Sequence, residues 1–186
     1  MDAGQVHDAA RDVLRFWFEE TPPEKRFRGG EALDEEIRAR FGALRDRVLA
    51  SGAAGWTDDP MHLLAAIIVL DQFSRNMYRG HAEAFAADGL SLRLAKLAVT
   101  NGWDTGMSGE ERQFCYLPFE HSENADDQRE SVRLLSDVGD AEVARYARDH
   151  AAVIERFGRF PSRNAALGRE STAEELEYLS QPGVGW

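Results

Sequence analysis

The chain has 186 residues, and its 33 acidic side chains against 22 basic ones give a formal net charge of −11 at pH 7. This length predicts one domain over residues 1–186, and the charge argues against general nucleic-acid binding because phosphates would be repelled. The longest apolar run, residues 63–70, is too short to cross a bilayer. Cys115 is the single cysteine and no secretory leader is evident, so we expect a cytoplasmic protein with an inert, buried thiol.

Apolar residues recur at helical spacing along nearly the whole chain, and the breaks between them carry helix-capping residues. The predicted caps are Asp58 or Asp59, a Ser108–Glu111 box, Asp140, Gly158 and a Ser171–Glu174 box. The predicted helices are residues 5–19, about 33–48, 60–75, 84–101, 108 to a kink or end at Pro118, 125–138, 141–157 and a short last one. The pattern predicts an all-α fold of seven to nine helices, arranged as antiparallel pairs in a bundle or short superhelix.

The helix over residues 60–75 begins with a run that is apolar on all sides, so it should be central in the fold. One apolar stripe along this helix, however, ends in polar residues. Asp71 and Arg75 share this stripe, and Gln72 and Asn76 lie one step round. One interpretation is structural: an i,i+4 ion pair, with Asn76 in a left-handed cap. The other is a site, because charges that close a buried helix need partners or a cavity.

Two histidines lie on apolar faces of later helices. His121 follows Glu120 at the end of one helix, and His150 lies on the inner stripe of residues 141–157. Each histidine alone is most simply a hydrogen-bonded core residue, but together with inward acids they indicate a shared polar pocket. The spacing does not match a metal-binding motif, so we expect no metal.

Residues 156–169 contain four arginines and no acid, although the chain is acidic overall. Such a segment, with Arg159, Arg163, Asn164 and Arg169, can bind a carboxylate or phosphate through guanidinium forks. The alternative is that these arginines hold down a loop by binding helix ends and surface acids.

Three ordered motifs carry a resemblance to a known family: LDQFSRN at 70–76, YLPFEHSE at 116–123 and FGRFPSRNAALGRESTAEEL at 157–176. Together they resemble the bacterial family catalogued as domain of unknown function 924. The resemblance implies a tetratricopeptide-like α-helical superhelix, but no reaction. The family pattern has proline where Ser74 stands and histidine where Ser162 stands. If that histidine is an essential catalyst in the family, this chain lacks it.

The leading functional hypothesis is a hydrolase-like enzyme or small-molecule-binding protein. Glu120, His121 and His150 would provide acid–base chemistry. The ligand-binding candidates are Asp71, Gln72, Arg75, Asn76, Arg159, Arg163, Asn164 and Arg169, with Arg75, Arg159 and Arg163 on a carboxylate or phosphate. One alternative is a peptide- or protein-binding module, and another is that the motifs are structural links between helices. The sequence leaves the cofactor, any metal dependence and the oligomeric state open.

Overall fold

A computed structural model describes residues 1–27 and 29–184 of the chain, and within these residues the secondary structure is entirely helical. This confirms the predicted all-α class. The helices are α1 Ala3–Arg15, α2 Pro23–Phe27, α3 Glu31–Ala50, α4 Pro60–Ile68, α5 Ser74–Met77, α6 Asp88–Thr100, α7 Gly109–Glu120, α8 Ala125–Ser136, α9 Ala141–Phe157 and α10 Ala173–Leu179. No helix of the described residues is long and apolar enough to cross a membrane.

Most of the predicted helix ends are confirmed. The Asp59 carboxylate accepts hydrogen bonds from the backbone N–H groups of Met61 and His62, and Pro60 begins α4. The Ser108–Glu111 capping box and the Asp140 cap are also present. Gly158 ends α9 with a φ of 68°, a left-handed conformation that favours glycine.

Several predicted boundaries are wrong. The last capping box uses Thr172 and Glu175, one residue later than expected, because Glu175 is the buried glutamate of this helix. Helix α6 begins at Asp88 because residues 82–84 form a separate 3₁₀ turn. Asn76 is helical rather than left-handed. Helix α7 includes Pro118 and ends two residues later, at Glu120, so of the two predicted effects of this proline only the kink stays a prediction.

Helix α4 is the centre of the molecule, as its apolar sequence predicts. Every residue from Leu63 to Leu70 is fully buried, because α1, α6 and α7 pack around α4, and α3 packs against the segment that follows it. Burying one leucine or isoleucine side chain contributes about 1.5–3 kcal/mol. The core is therefore built around this helix, and the polar residues at its end are held by a rigid support.

Helices α7, α8 and α9 form two consecutive antiparallel pairs. Each successive pair packs together and is joined by only four residues, 121–124 and 137–140. A small second cluster of Val153, Ile154 and Phe160 then packs against Phe157 and Tyr178. The predicted antiparallel pairing is confirmed, while the tetratricopeptide-like curvature stays a prediction.

Helix α4 does not continue straight to residue 75. It passes into a π-helical turn, Val69–Phe73, and then into the short α5. Such wide turns inside helices frequently mark functional sites. Here the turn leaves Asp71 and Gln72 buried at the end of the central helix, where Asp71 meets Arg75 of α5 and His121 at the end of α7.

Candidate functional site

A cluster of polar side chains lies where the end of α4 meets the C-terminal half of the chain, and we call it the central polar cluster. It draws on the π-helical turn, α5, the first residue of α6, the end of α7, α9, and a 3₁₀ turn at Pro161–Arg163. Its members are Asp71, Gln72, Arg75, Asp88, Glu120, His121, His150 and Arg163.

Asp71 orients His121. The two residues meet through Asp71 Oδ1 and His121 Nδ1, 2.9 Å apart, while Gln72 donates from Nε2 to Asp71 Oδ2 at 2.6 Å. The Asp71 side chain is 1% exposed and that of His121 is 15% exposed. Among the described residues no hydrogen bond to His121 Nε2 is formed, which leaves this nitrogen for another partner.

The pKa values of this pair fix its protonation. Burial alone would raise the pKa of Asp71, but Arg75 and His121 outweigh it and hold that pKa well below its usual range. Burial lowers the pKa of His121 and Arg75 lowers it further, more than Asp71 raises it. His121 is therefore neutral at pH 7, with Nδ1–H donating to the Asp71 carboxylate and Nε2 carrying the free lone pair.

Glu120 and His150 form a second, uncharged pair. Burial raises the pKa of Glu120 to about 8, with Asp71 adding to the effect. Burial lowers the pKa of His150 to about 3, and its Nδ1 donates to the Tyr146 carbonyl at 2.9 Å. Although His150 Nδ1 lies 3.5 Å from Glu120 Oε1, both groups are neutral at pH 7, so this contact is not an ion pair. The two histidine rings are 6.3 Å apart between centroids.

Arg75 and Arg163 converge on one carboxylate, that of Asp88. Arg75 forms a two-pronged contact, Nη1 to Oδ1 and Nη2 to Oδ2, at 3.0 Å each. Arg163 Nη1 donates to the same Oδ2 at 3.2 Å, and its Nη2 donates to the His121 carbonyl at 2.9 Å. The Arg163 guanidinium carbon lies 4.7 Å from the Phe85 ring centroid and 4.5 Å from that of Phe160, which fixes the guanidinium against two aromatic rings.

The charges of this part of the cluster cancel. Arg75 also contacts Asp71 Oδ1 at 3.0 Å, so two guanidiniums face two carboxylates. Burial lowers the pKa of Arg163 to about 10, which still leaves it charged at pH 7. The expected anion between Arg75 and Arg163 is thus supplied by the protein itself, in the form of Asp88.

Arg159, expected to face the same anion, lies in a separate network. It donates to both carboxylate oxygens of Glu175, at 2.6 and 2.8 Å, and this hydrogen bonding lowers the pKa of Glu175 to about 2. Asn164 also donates to Glu175 and accepts from Arg169. Arg169 in turn forms a two-pronged contact with Glu123, which also accepts from the Phe160 N–H at 2.7 Å.

This second network, which we call the C-terminal network, links the α7–α8 connection to residues 159–175. Each of its charged groups already has a charged partner, so it matches the structural alternative for Arg159, Asn164 and Arg169. The functional hypothesis therefore rests on the central polar cluster alone.

Asn76 lies on a different side of the molecule. Its Nδ2 donates to Asp34 Oδ1 at 2.7 Å, and Arg79 binds the same carboxylate. A surface groove of about 570 Å³ opens here, lined by Gly29, Gly30, Glu31, Asp34, Glu35, Arg38, Asn76, Met77, Arg79 and His81. Asn76 does not join the central polar cluster because its side chain leaves α5 on the face toward α3.

The sequence did not indicate Asp88, a member of the central polar cluster, or Phe85, which lies beside it. An acid in the first turn of a helix is common for electrostatic reasons alone, so Asp88 carried no distinguishing signal. Among the described residues, no group of three or more histidine, cysteine and acidic side chains is arranged to hold a metal ion. Cys115 is buried, as predicted, and burial raises the pKa of its thiol to about 12.

The fold and the cluster together define an all-helical protein whose buried Asp–His pair adjoins an arginine-bound carboxylate. The family model described as bacterial protein of unknown function (DUF924) matches residues 13–183. The chain belongs to this family, which the three sequence motifs had indicated.

A solved structure gives the same assignment of fold. The chain is similar to a protein of unknown function, ATU0120, from Agrobacterium tumefaciens, with a TM-score of 0.89 and 35% sequence identity over 94% of this chain and 98% of that one. No curated protein matches the chain. The comparisons therefore support the family and the fold, and the chemistry has to be argued from the site.

Proposed function

We propose that this protein is a hydrolase-like enzyme acting on a small molecule, with His121 as its general base. The observation that carries the proposal is the 2.9 Å contact between Asp71 Oδ1 and His121 Nδ1. A buried carboxylate on Nδ1 holds the imidazole in one tautomer and stabilises the imidazolium that forms when Nε2 takes a proton. The Nε2 atom that would do so forms no hydrogen bond within the described part of the chain.

Glu120 is the general acid in this proposal. With a pKa of about 8, its carboxyl is protonated at neutral pH and can give a proton to a leaving group. Burial thus shifts the pKa values of the two groups in opposite directions, and at neutral pH His121 is an uncharged base and Glu120 an uncharged acid. His121 would remove a proton from the attacking water, and Arg163 beside it would stabilise negative charge on the substrate.

The substrate class follows from the two arginines. Arg75 and Arg163 bind a carboxylate in the present structure, so a carboxylate- or phosphate-bearing molecule is the ligand that their geometry favours. The same groups could hold the terminal carboxylate of a peptide, since the side chains of Arg75 and Asp88 are 20% and 22% exposed. This partial exposure supports peptide binding as the second candidate function.

The acidic surface and the buried thiol support the remaining expectations. A net charge of −11 disfavours nucleic acid as a partner. The single buried cysteine is compatible with a reducing compartment. We accordingly place the activity in the bacterial cytoplasm.

The test is hydrolysis of chromogenic model substrates, 4-nitrophenyl acetate and 4-nitrophenyl phosphate, by the wild type and by His121→Gln. Glutamine can still donate to Asp71, so the fold is kept while the base is lost. General-base catalysis contributes about 10²–10⁴-fold, and we expect a rate loss of that size. His81→Gln, at an exposed histidine of the separate groove, is the matched control and should retain the wild-type rate.

The pH profile adds a second readout. Activity should fall above pH 8 as Glu120 ionises, since its pKa is about 8, and Glu120→Gln should remove that limb. Equal rates for His121→Gln and His81→Gln, or no turnover of any model substrate by the wild type, would refute the assignment of a hydrolase.

A further inference from the structure

We infer that Asp88 is an internal competitor in the ligand-binding site, occupying the place that the carboxylate of a ligand takes when it binds. The inference deepens the proposed function, and rests on it for the location of the site. It adds the chemical class of the ligand's anionic group, a carboxylate, and a mechanism that controls access to the two arginines.

The geometry around Asp88 is that of a carboxylate-binding site. Three N–H donors from Arg75 and Arg163 reach its two oxygens at 3.0 to 3.2 Å. The pair of bonds from Arg75 is the fork arrangement that matches a planar carboxylate. Arg163 is fixed between the rings of Phe85 and Phe160, so the donors are already in position before any ligand arrives.

Asp88 differs from Asp71, the other carboxylate at these arginines, in how firmly it is held. Asp71 is 1% exposed and bound by Gln72 and His121 as well as Arg75. Asp88 is 22% exposed, and within the described part of the chain its carboxylate accepts hydrogen bonds from the two arginines alone. It is also the first residue of α6, directly after the turns at 79–87. Asp88 can therefore rotate toward water, whereas Asp71 cannot move without breaking the core.

The charges make the exchange possible. With Asp88 in place, the two guanidiniums and two carboxylates cancel. When Asp88 turns outward, one positive charge is left for an incoming anion. The free protein thus keeps its buried arginines paired, and it avoids the cost of unpaired buried charge. The site is also beside His121, because Arg163 donates to the His121 carbonyl at 2.9 Å.

Competition of this kind has a measurable effect on affinity. If Asp88 occupies the arginines for about 90–99% of the time, the apparent affinity for a ligand carboxylate is weakened about 10–100-fold. Removing the Asp88 carboxylate should raise the apparent affinity for a ligand carboxylate by the same factor. Asp88→Ala leaves a gap of carboxylate size, which added acetate can fill.

The experiment measures the melting temperature of the wild type and Asp88→Ala in acetate, in inorganic phosphate and in chloride at matched ionic strength. We expect acetate to stabilise Asp88→Ala, at a concentration about 10–100-fold below that needed by the wild type. An acetylated dipeptide with a free C-terminal carboxylate, compared with the corresponding amide, shows whether the ligand is a peptide. If the free acid stabilises the protein more than acetate does, and the amide does not, the ligand's carboxylate is a peptide terminus.

Asp34→Ala is the matched control, because Asp34 also accepts two bonds from an arginine, Arg79, and one from Asn76. Arg79 is largely exposed, so its single guanidinium should give no acetate-specific stabilisation. If Asp88→Ala is unfolded without anion, acetate-dependent refolding becomes the readout. Asp88→Asn, which keeps the shape of the side chain and loses its charge, serves as the second variant.

Three results would overturn the inference: no acetate effect on either Asp88 variant, equal acetate sensitivity of Asp88→Ala and the wild type, or stabilisation by phosphate alone. The anion measurements do not depend on turnover. Loss of the acetate effect with intact His121-dependent hydrolysis would reject this inference only, whereas carboxylate binding without hydrolysis would reject the proposed enzyme.

Discussion

Replacing Glu120 by glutamine should change the pH dependence of stability in a way that an ordinary glutamate would not. Burial raises the pKa of Glu120 from an ordinary 4.5 to about 8 in the folded chain. Between these two values the unfolded chain ionises while the folded chain stays protonated. A group whose pKa is higher in the folded chain than in the unfolded chain contributes stability to the fold. This stability is fully present below the pKa of the unfolded chain and is lost as the pH rises through the pKa of the folded chain.

The magnitude follows from the separation of the two pKa values. The wild type should lose about 1.4 kcal/mol of unfolding free energy per pH unit through this group between pH 4.5 and about 8. A glutamine is neutral throughout and is close in shape, so Glu120→Gln lacks this loss. From pH 5 to pH 8 the difference in unfolding free energy between variant and wild type should grow by about 4 kcal/mol in favour of the variant.

The assay is urea unfolding of both proteins at each pH, followed by circular dichroism, with the difference taken so that other titrating groups cancel. Glu35→Gln, at an exposed glutamate, is the matched control and should run parallel to the wild type. Parallel profiles for Glu120→Gln and wild type would refute the reasoning, because they would mean that Glu120 is ionised in the folded protein.

Three further predictions test the two networks. His150→Asn should make the protein less sensitive to acid. The pKa of His150 is lowered to about 3 in the folded chain, so the stability it contributes is present above pH 6.5 and is lost as the pH falls. Urea unfolding at pH 6.5 and pH 5 should show the wild type losing about 2 kcal/mol of unfolding free energy relative to the variant. Asp71→Asn should cost about 3–5 kcal/mol in the same assay, because Arg75 and Arg163 would then face a single carboxylate, Asp88, and one buried positive charge would be unbalanced; an unchanged free energy of unfolding would contradict this. Arg169→Ala removes the two-pronged contact with Glu123 and should lower stability by about 1–3 kcal/mol, while a change in His121-dependent hydrolysis would place the C-terminal network in the site.

The fold could be predicted because its determinants are local. Helix caps such as Asp59 and Asp140, and the stop at Gly158, act on backbone groups within a turn of themselves. The Asp71–Arg75 contact was equally readable, since residues four apart meet on one helix face. The helix boundaries that were predicted wrongly lie where tertiary contacts decide which of two adjacent residues is buried. The burial of Glu175, for example, moves the capping box by one residue.

The site could be predicted only in part, for the same reason. The inward histidines and acids indicated a shared polar cluster, and His121 and His150 do lie together. The partner of Arg75 beyond its own helix, Asp88, is thirteen residues away across several turns, and no sequence periodicity relates the two. Arg159 lies in irregular chain and Arg163 in a single 3₁₀ turn, where spacing does not show which side a residue faces. One joins Glu175 and the other joins Asp88.

The π-helical turn at Val69–Phe73 also has a consequence for how this chain can change. An α-helix advances about 100° per residue, and a wider turn spends one more residue on the same revolution. The turn therefore offsets the rotational phase of α5 from that of α4. Substitutions among its apolar residues can be absorbed by packing, but a one-residue deletion here would rotate Arg75 away from Asp88 while leaving α4 in the core. This segment therefore has to preserve its length as well as the buried Asp71.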